Sequence, residues 1–449
     1  MSKQRIQLSD HFTYSRLLRF VLPCIGTMLF TSIYGIVDGL CVSNFVGKTA
    51  FAAVNLIMPL PMLLGTIGFM LGTGGSAIVG ITLGEGDQKK ADRYFTLFLL
   101  AALISVSVLA VLGIVFLRPI AVLLGAKGEL LDYAVRYGRI LMVSLPTFAL
   151  QNMFQSFFVT AEKPHLGFWF TVGAGCTNMV LDVLMVGIWG WGVEGAAIAT
   201  FISQLVGGVL PVFYFIDRSN SSRLHLCKTS FYSKVLRDAC INGSSELMTN
   251  LSMSLVNILY NFQLLRLAGE NGVAAYGVIM YAAFLFVAVF VGYAVGSAPI
   301  VSFHYGARNH AEVHNLYRKS LRLIAVVAVT LTLASMFIIP CVARIFVGYD
   351  AELLALTSRA FRLYALSFLI MGFNVYASSF FTALGDGVTS ALISFLRTLV
   401  FQVIAILLLP LLLGIDGIWL AVTAAELAAL AVSAAMLLTK DKVFHYRKA

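Results

Sequence analysis

The chain matches itself at one fixed offset of 222 residues, and almost everything that matches is apolar. Gly47, Ala52, Ala53, Ile57 and Met58 return as Gly269, Ala274, Ala275, Ile279 and Met280. Gly74, Ile78, Val79 and Gly84 return as Gly296, Ile300, Val301 and Gly306, and Asn152, Thr160, Gly192 and Gly195 as Asn374, Thr382, Gly414 and Gly417. Such a chain folds as two copies of one unit. Duplication of this kind in an apolar chain is the pattern of secondary transporters, whose halves rock against each other around a site at their interface.

Hydrophobic residues make up 59% of the chain and charged residues 12%, with a mean hydropathy of +0.90, which places it in a bilayer. Apolar runs of about 20 residues, enough to cross roughly 30 Å of hydrocarbon, fall near 17–43, 50–80, 95–117, 138–160, 166–187 and 193–216. Six more fall near 239–264, 274–303, 321–343, 361–383, 388–410 and 416–439. Because six is even, both copies run the same way through the membrane. The expected fold is an all-α integral membrane protein of 12 transmembrane helices. They form two parallel six-helix lobes related by a pseudo-twofold axis along the membrane normal. The N-terminal lobe is expected over 1–216 and the C-terminal lobe over 238–449. A cytoplasmic linker, 217–237, part of it an amphipathic surface helix, joins them.

Basic residues orient the chain. With the N-terminus inside, the inner segments hold 21 of the 31 Lys and Arg residues, so both termini are expected in the cytoplasm and the protein in the plasma membrane. These residues are spread over inner loops. The net charge of +10 therefore points to anionic lipid headgroups rather than nucleic acid. No removable signal peptide is evident, and the six cysteines show neither metal spacing nor pairing. The chain carries no His-Glu-x-x-His, no Gly-x-Ser-x-Gly and no complete phosphate loop: Gly47-Lys48-Thr49 would need a glycine where Val42 stands. It reads as no enzyme and as needing no cofactor. Transport is then driven by an ion gradient or a partner, or is passive.

An ionisable group within the hydrocarbon is costly and marks function. Five qualify: Asp38, Asp182, Glu246, Arg397 and Glu426. Counting residues from the outer ends of their spans puts Asp38, Asp182 and Thr200 at one depth, roughly 8 to 10 Å below the surface at 1.5 Å per residue. Asn178 lies one turn from Asp182 on the same helix face, and Asn152 lies deeper. Two carboxylates, an amide and a hydroxyl make a hard-oxygen cage for a small cation, Na+ included. Carboxylates held together resist double ionisation, so the same pair suits a proton. The repeat supplies a control: moved by 222, Asp38, Asn178, Asp182 and Thr200 land on Tyr260, Val400, Ile404 and Val422. The plainer reading of these polar groups is a bond network between helices. Pro23, fifteen residues before Asp38, permits a bend in span 1. Arg397 and Glu426 are expected to pair near mid-membrane as a structural element. Glu246, at the inner third of span 7, is a candidate lining residue of a substrate cavity.

This pattern resembles the multidrug and toxic compound extrusion (MATE) transporters along the whole chain, with its DinF-like branch the most similar. The resemblance rests on Val37-Asp38, Gly84-x-Gly86 and Tyr305-Gly306-Ala307. It rests also on Pro23 with Asp38, Asn152, the Asn178-x-x-x-Asp182 pair and Thr200. It implies that Asp38, Asn152, Asn178, Asp182 and Thr200 form the cation site of the N-terminal lobe. Glu246 comes too early on span 7 to match the acid of the NorM-like branch, and span 10 has no acid. The implied activity is antiport of H+ or Na+ against small amphipathic, often cationic, organic compounds by alternating access, in a monomer. The alternative is a flippase of lipid-linked saccharides or other lipid intermediates. Such a protein would show more intramembrane Arg or Lys to hold a pyrophosphate, whereas here Arg397 stands alone.

Overall fold

The computed structural model describes residues 6–46, 48–348 and 350–447. The helices in chain order are α1 Tyr14–Phe45, α2 Lys48–Ile57, α3 Pro59–Gly84, α4 Gln88–Leu123, α5 Gly128–Thr160, α6 Pro164–Asp182, α7 Gly192–Gly208 and α8 Leu210–Ile216. They continue with α9 Ser233–Gly306, α10 His310–Val347, α11 Ala351–Ala365, α12 Phe368–Ala383, α13 Gly387–Phe395, α14 Phe401–Leu413, α15 Ile415–Thr439 and the single turn α16 Asp441–Phe444. π-helical turns, Val183–Ile188 and Leu396–Val400, come directly after α6 and α13.

Among the described residues nine helical segments are long and apolar enough to cross a membrane, and α11 with α12, bent by 46°, makes a tenth. The 33-residue α5 is an eleventh, its apolar length preceded by Glu129, Asp132, Arg136 and Arg139. A helix of 74 residues such as α9 would run roughly 110 Å at 1.5 Å per residue, too far for one crossing. It breaks at Gly269, whose φ of 62° and ψ of −150° suit only a residue without Cβ, and so supplies two spans. The protein is thus an all-helical, multi-pass membrane protein with twelve spans.

The pseudo-twofold axis shows in reciprocal contacts between the lobes, the mark of an isologous interface. A Cβ on Gly84 would stand 2.0 Å from the Phe303 carbonyl oxygen, and one on Gly306 would stand 2.0 Å from that of Ile81. Both pairs exchange under the offset of 222. Likewise a Cβ on Gly74 would lie 2.5 Å from the Gly243 nitrogen, and one on Gly296 2.9 Å from Val21. Gly84 and Gly306 let α3 and the second span of α9 pack backbone to backbone, while Gly74 seats α3 on the first span of α9 and Gly296 seats the second span on α1.

These approaches lie in the half of the molecule that bears the termini, and residues 6–12 reinforce it. Leu8 and Phe12 are fully buried. The Leu8 N–H donates to Glu162 Oε1 at 2.9 Å, while the Phe12 N–H donates to Glu312 Oε1 at 2.9 Å. The His11 ring nitrogen lies 2.6 Å from Glu312 Oε2. Glu162 comes just after α5 and Glu312 opens α10, so this short segment joins both lobes at the same end.

Between the lobes, 217–232 carries no helix, unlike the surface helix expected for part of this stretch. The His225 N–H donates to Asp92 Oδ1 at 3.0 Å and the Cys227 N–H to Thr96 Oγ1 at 3.1 Å. Its backbone donors go across to α4 instead of along a helix of their own.

Candidate functional site

The first lobe brings its acids together through small residues. A Cβ on Gly175 of α6 would lie 2.5 Å from the Phe30 ring and 3.0 Å from that of Tyr34, and one on Gly26 of α1 would lie 3.0 Å from Phe168. α6 can therefore lie close along α1. Gly208 does the same for α7 against α5, where a Cβ would meet the Thr147 carbonyl oxygen at 2.3 Å. Asp182 closes α6 at the point where the helix widens into the π turn, a distortion frequent at functional sites.

Asp182 is fully buried, Asn178 and Asn152 nearly so, and Asp38 and Thr200 partly. Asp38 and Asp182 are neighbours, close enough for each carboxyl to act on the other. Carboxylate oxygens only accept, so this proximity favours a shared proton or a cation between them. Asp38 Oδ1, both Asp182 oxygens and Asn178 Oδ1 are buried without a protein partner. An unsatisfied buried acceptor costs about 1 to 3 kcal/mol, and more when charged. Four such acceptors on neighbouring turns of α6 and on α1 thus favour a ligand that supplies positive charge. Thr200 gives its hydroxyl proton to the Ala196 carbonyl of its own helix at 3.0 Å, leaving lone pairs to offer. Among the described residues no bond ties Thr200 to either carboxylate, and Asn152 Nδ2 is without a partner.

Four further residues belong to this neighbourhood. Tyr34 lies near Gln151 and feels the charge of Asp38. Tyr137 feels both carboxylates and points its hydroxyl at Met58 Sδ, 3.9 Å away. Gln204 carries another buried, unpartnered oxygen. Helical spacing could have found two of them, since Tyr34 is four residues before Asp38 and Gln204 four after Thr200.

The second lobe is built differently. Tyr260, at the counterpart of Asp38, is buried and stacked on Tyr276 with ring centroids 4.9 Å apart. As expected from the sequence, Arg397 and Glu426 pair: Arg397 Nε donates to Glu426 Oε1 at 2.9 Å. Asn374 Nδ2 donates to Glu426 Oε2 at 2.7 Å and to its main-chain oxygen at 2.9 Å, while Ser433 donates to Asn374 Oδ1 at 2.9 Å. Glu246, partly buried on the first span of α9, lies within electrostatic reach of Arg397.

A sequence profile of the MatE family matches residues 23–184 and again 247–408, one copy in each lobe. The chain belongs to the MatE family. It is a transporter and not an enzyme. Among curated relatives, the multidrug export protein MepA of Staphylococcus saprophyticus is 21% identical over 434 residues, spanning 96% of this chain and 95% of the relative. MepA of Staphylococcus aureus is 22% identical over 433 residues, with the same coverage. Among solved structures, an outward-facing multidrug resistance MATE family transporter of the MOP superfamily superposes with a TM-score of 0.92 at 23% identity, over the whole of both chains. A MATE crystal structure in the straight conformation gives 0.91, also at 23% identity and full coverage. This MatE fold is a two-lobed, twelve-helix bundle.

Proposed function

We propose that this MATE transporter is a secondary active multidrug efflux antiporter of the plasma membrane. It exchanges H+ or Na+ for small amphipathic, often cationic, organic compounds by alternating access. The observation that carries this reading is the neighbouring Asp38 and Asp182 pair, with buried oxygens that no protein group satisfies. The multidrug export relatives that align along nearly the full chain support it.

Residues 1–216 and 238–449 are the moving bodies and 217–237 is the inner linker, with both termini cytoplasmic. The clamped end, where Gly84 meets Phe303 and 6–12 joins Glu162 to Glu312, is then the inner gate. One chain contains both lobes and the cavity between them, so a monomer suffices.

The cation enters between Asp38 and Asp182, with Asn178 and the lone pairs of Thr200 as further oxygens and Asn152 deeper in the lobe. Neutralising the pair removes the repulsion between α1 and α6. α1 contains Pro23, whose missing N–H leaves the helix free to bend there. The charge on the pair thereby sets the shape of the cavity wall. Glu246 offers a carboxylate to a cationic substrate from the opposite lobe. Arg397, the basic residue deepest in a span, is already engaged by Glu426, which argues against a pyrophosphate-holding flippase.

The test is efflux of a fluorescent cationic dye from proteoliposomes, driven separately by a proton and by a sodium gradient, with Asp38→Asn alongside. Driven efflux that disappears in Asp38→Asn is expected, and the effective gradient names the ion. No dye movement under either gradient would overturn the reading.

A further inference from the structure

Both lobes interrupt their fifth span with a π turn, and each places a charge there. Asp182 stands immediately before Val183–Ile188, and Arg397 lies within Leu396–Val400. The fourth and sixth spans also correspond: Asn152 and Gln204 fall, 222 residues on, at Asn374 and Glu426. The polar groups of the two lobes are wired in opposite ways. In the first lobe Asn152 Nδ2, Gln204 Oε1, both Asp182 oxygens and Asp38 Oδ1 are open. In the second lobe Asn374 and Arg397 each occupy one oxygen of Glu426, and Ser433 fixes the Asn374 amide.

We propose that the Glu426 pocket is a monovalent-cation site whose cation is the Arg397 guanidinium, carried by the chain itself. A carboxylate with no exposure cannot stay ionised without a counter-charge at its side. Among the described residues no Lys or Arg pairs with Asp38 or Asp182, so the first lobe recruits a cation from solution; the second brings its own. Glu246 adds a second acid within reach of Arg397. Without the arginine, Glu426 faces a gap that a free cation fills, and the charge of Glu246 adds to the field there. Guanidinium fits best, because its planar fork of N–H donors matches a carboxylate, and Na+ comes next. In the intact protein the second lobe then exchanges no ion, and the first lobe alone sets the number of ions moved per cycle. This last point rests on the proposed antiport; the binding claim does not.

The test uses the full chain, purified in detergent and reconstituted. Melting temperature is measured against guanidinium chloride, with choline chloride at equal ionic strength as reference and concentrations kept far below denaturing ones. Arg397→Ala is expected to show a saturable rise, retained when Asp38→Asn removes the first-lobe site and lost when Glu426→Gln is added. In proteoliposomes, dye efflux by Arg397→Ala is expected to regain severalfold in rate with guanidinium, and its ion dependence to steepen from one cation to two. A melting curve of Arg397→Ala indifferent to guanidinium and Na+, or a response that survives Glu426→Gln, overturns the assignment. If Arg397→Ala does not accumulate, its yield is set against that of Arg397→Ala/Glu426→Gln. Recovery on removing the acid is expected, and equal loss in both overturns the proposal. The Asp38→Asn background separates failure of this site from failure of the antiport reading.

Discussion

The two lobes share a chain path and differ in how they keep a buried acid. In the first, Asp38 and Asp182 are neighbours with open oxygens; in the second, Glu426 has a donor on each oxygen, one of them the Arg397 guanidinium. Fifth-span π turns, fourth-span asparagines and sixth-span amide or acid are common to both. Duplication thus supplied the scaffold twice, and side-chain differences leave the acids of one copy open and close that of the other. On the proposed antiport, a site that has to release its cation once per cycle cannot keep a bound arginine, whereas a lobe that exchanges no ion can.

The sharpest way to break this contrast is to neutralise one acid in each lobe. Asp182→Asn should abolish coupled efflux: an antiporter that no longer moves one charge through 100 mV forfeits about 2.3 kcal/mol, roughly a fiftyfold accumulation ratio. Its melting temperature should hold or rise, because an uncompensated acceptor has been relieved. Glu426→Gln should do the reverse in stability, leaving Arg397 buried without its partner at a cost of about 3 to 5 kcal/mol. Dye efflux and thermal melting on the same two preparations decide it. An equal loss of melting temperature in both would mean that the first-lobe pair is a structural bond network.

A finer cut uses the paired asparagines. Asn374→Ala removes a donor to a buried charge and should cost about 1 to 3 kcal/mol. Asn152→Ala removes an amide group whose nitrogen makes no bond, and should cost well under half of that. Melting temperatures of the two variants are the readout, and equal losses would erase the distinction between an open and a closed site.

Much of this architecture could be read from spacing alone. An offset that ran through glycines as well as apolar residues signalled helices in close contact, and Gly84 and Gly306 indeed meet the opposite lobe's backbone, at Phe303 and Ile81. Arg397 and Glu426 were legible because each had to find an opposite charge within the membrane. Depth counting put Asp38, Asp182 and Thr200 in one layer, but a layer does not fix direction around a helix. The two acids act on each other, while the Thr200 proton turns back to its own backbone. The part played by Asn374 was hidden because its partner lies 52 residues away on another span. The segment 6–12 has no periodic pattern of its own, and its bonds reach residues 154 and 300 positions distant. The non-helical course of 217–232 is set by side chains of α4, which no local preference reveals.

The smallest expected difference lies where each lobe begins its fifth span. Lys163 precedes α6 without a side-chain cap, whereas Asp386 caps α13, accepting from the Thr389 N–H at 3.2 Å and its hydroxyl at 2.8 Å. Asp386 also pairs with Lys440 at 2.9 Å, at the membrane face. Burial there pushes the Asp386 carboxyl up, but Lys440 and Thr389 outweigh it and hold the group below the usual carboxylate range. A lowered value stabilises the fold above the unfolded group's pKa of about 3.9. That contribution fades as pH falls through the lowered value. Asp386→Asn keeps an acceptor for the cap and loses the charge, so at neutral pH it should cost at most about 1 kcal/mol for a pair whose lysine side chain is 36% exposed. Its melting temperature should approach that of the parent as the medium is acidified. Curves that stay parallel across the acid range would show that the charge on Asp386 contributes nothing, and that capping geometry alone separates the two fifth-span starts.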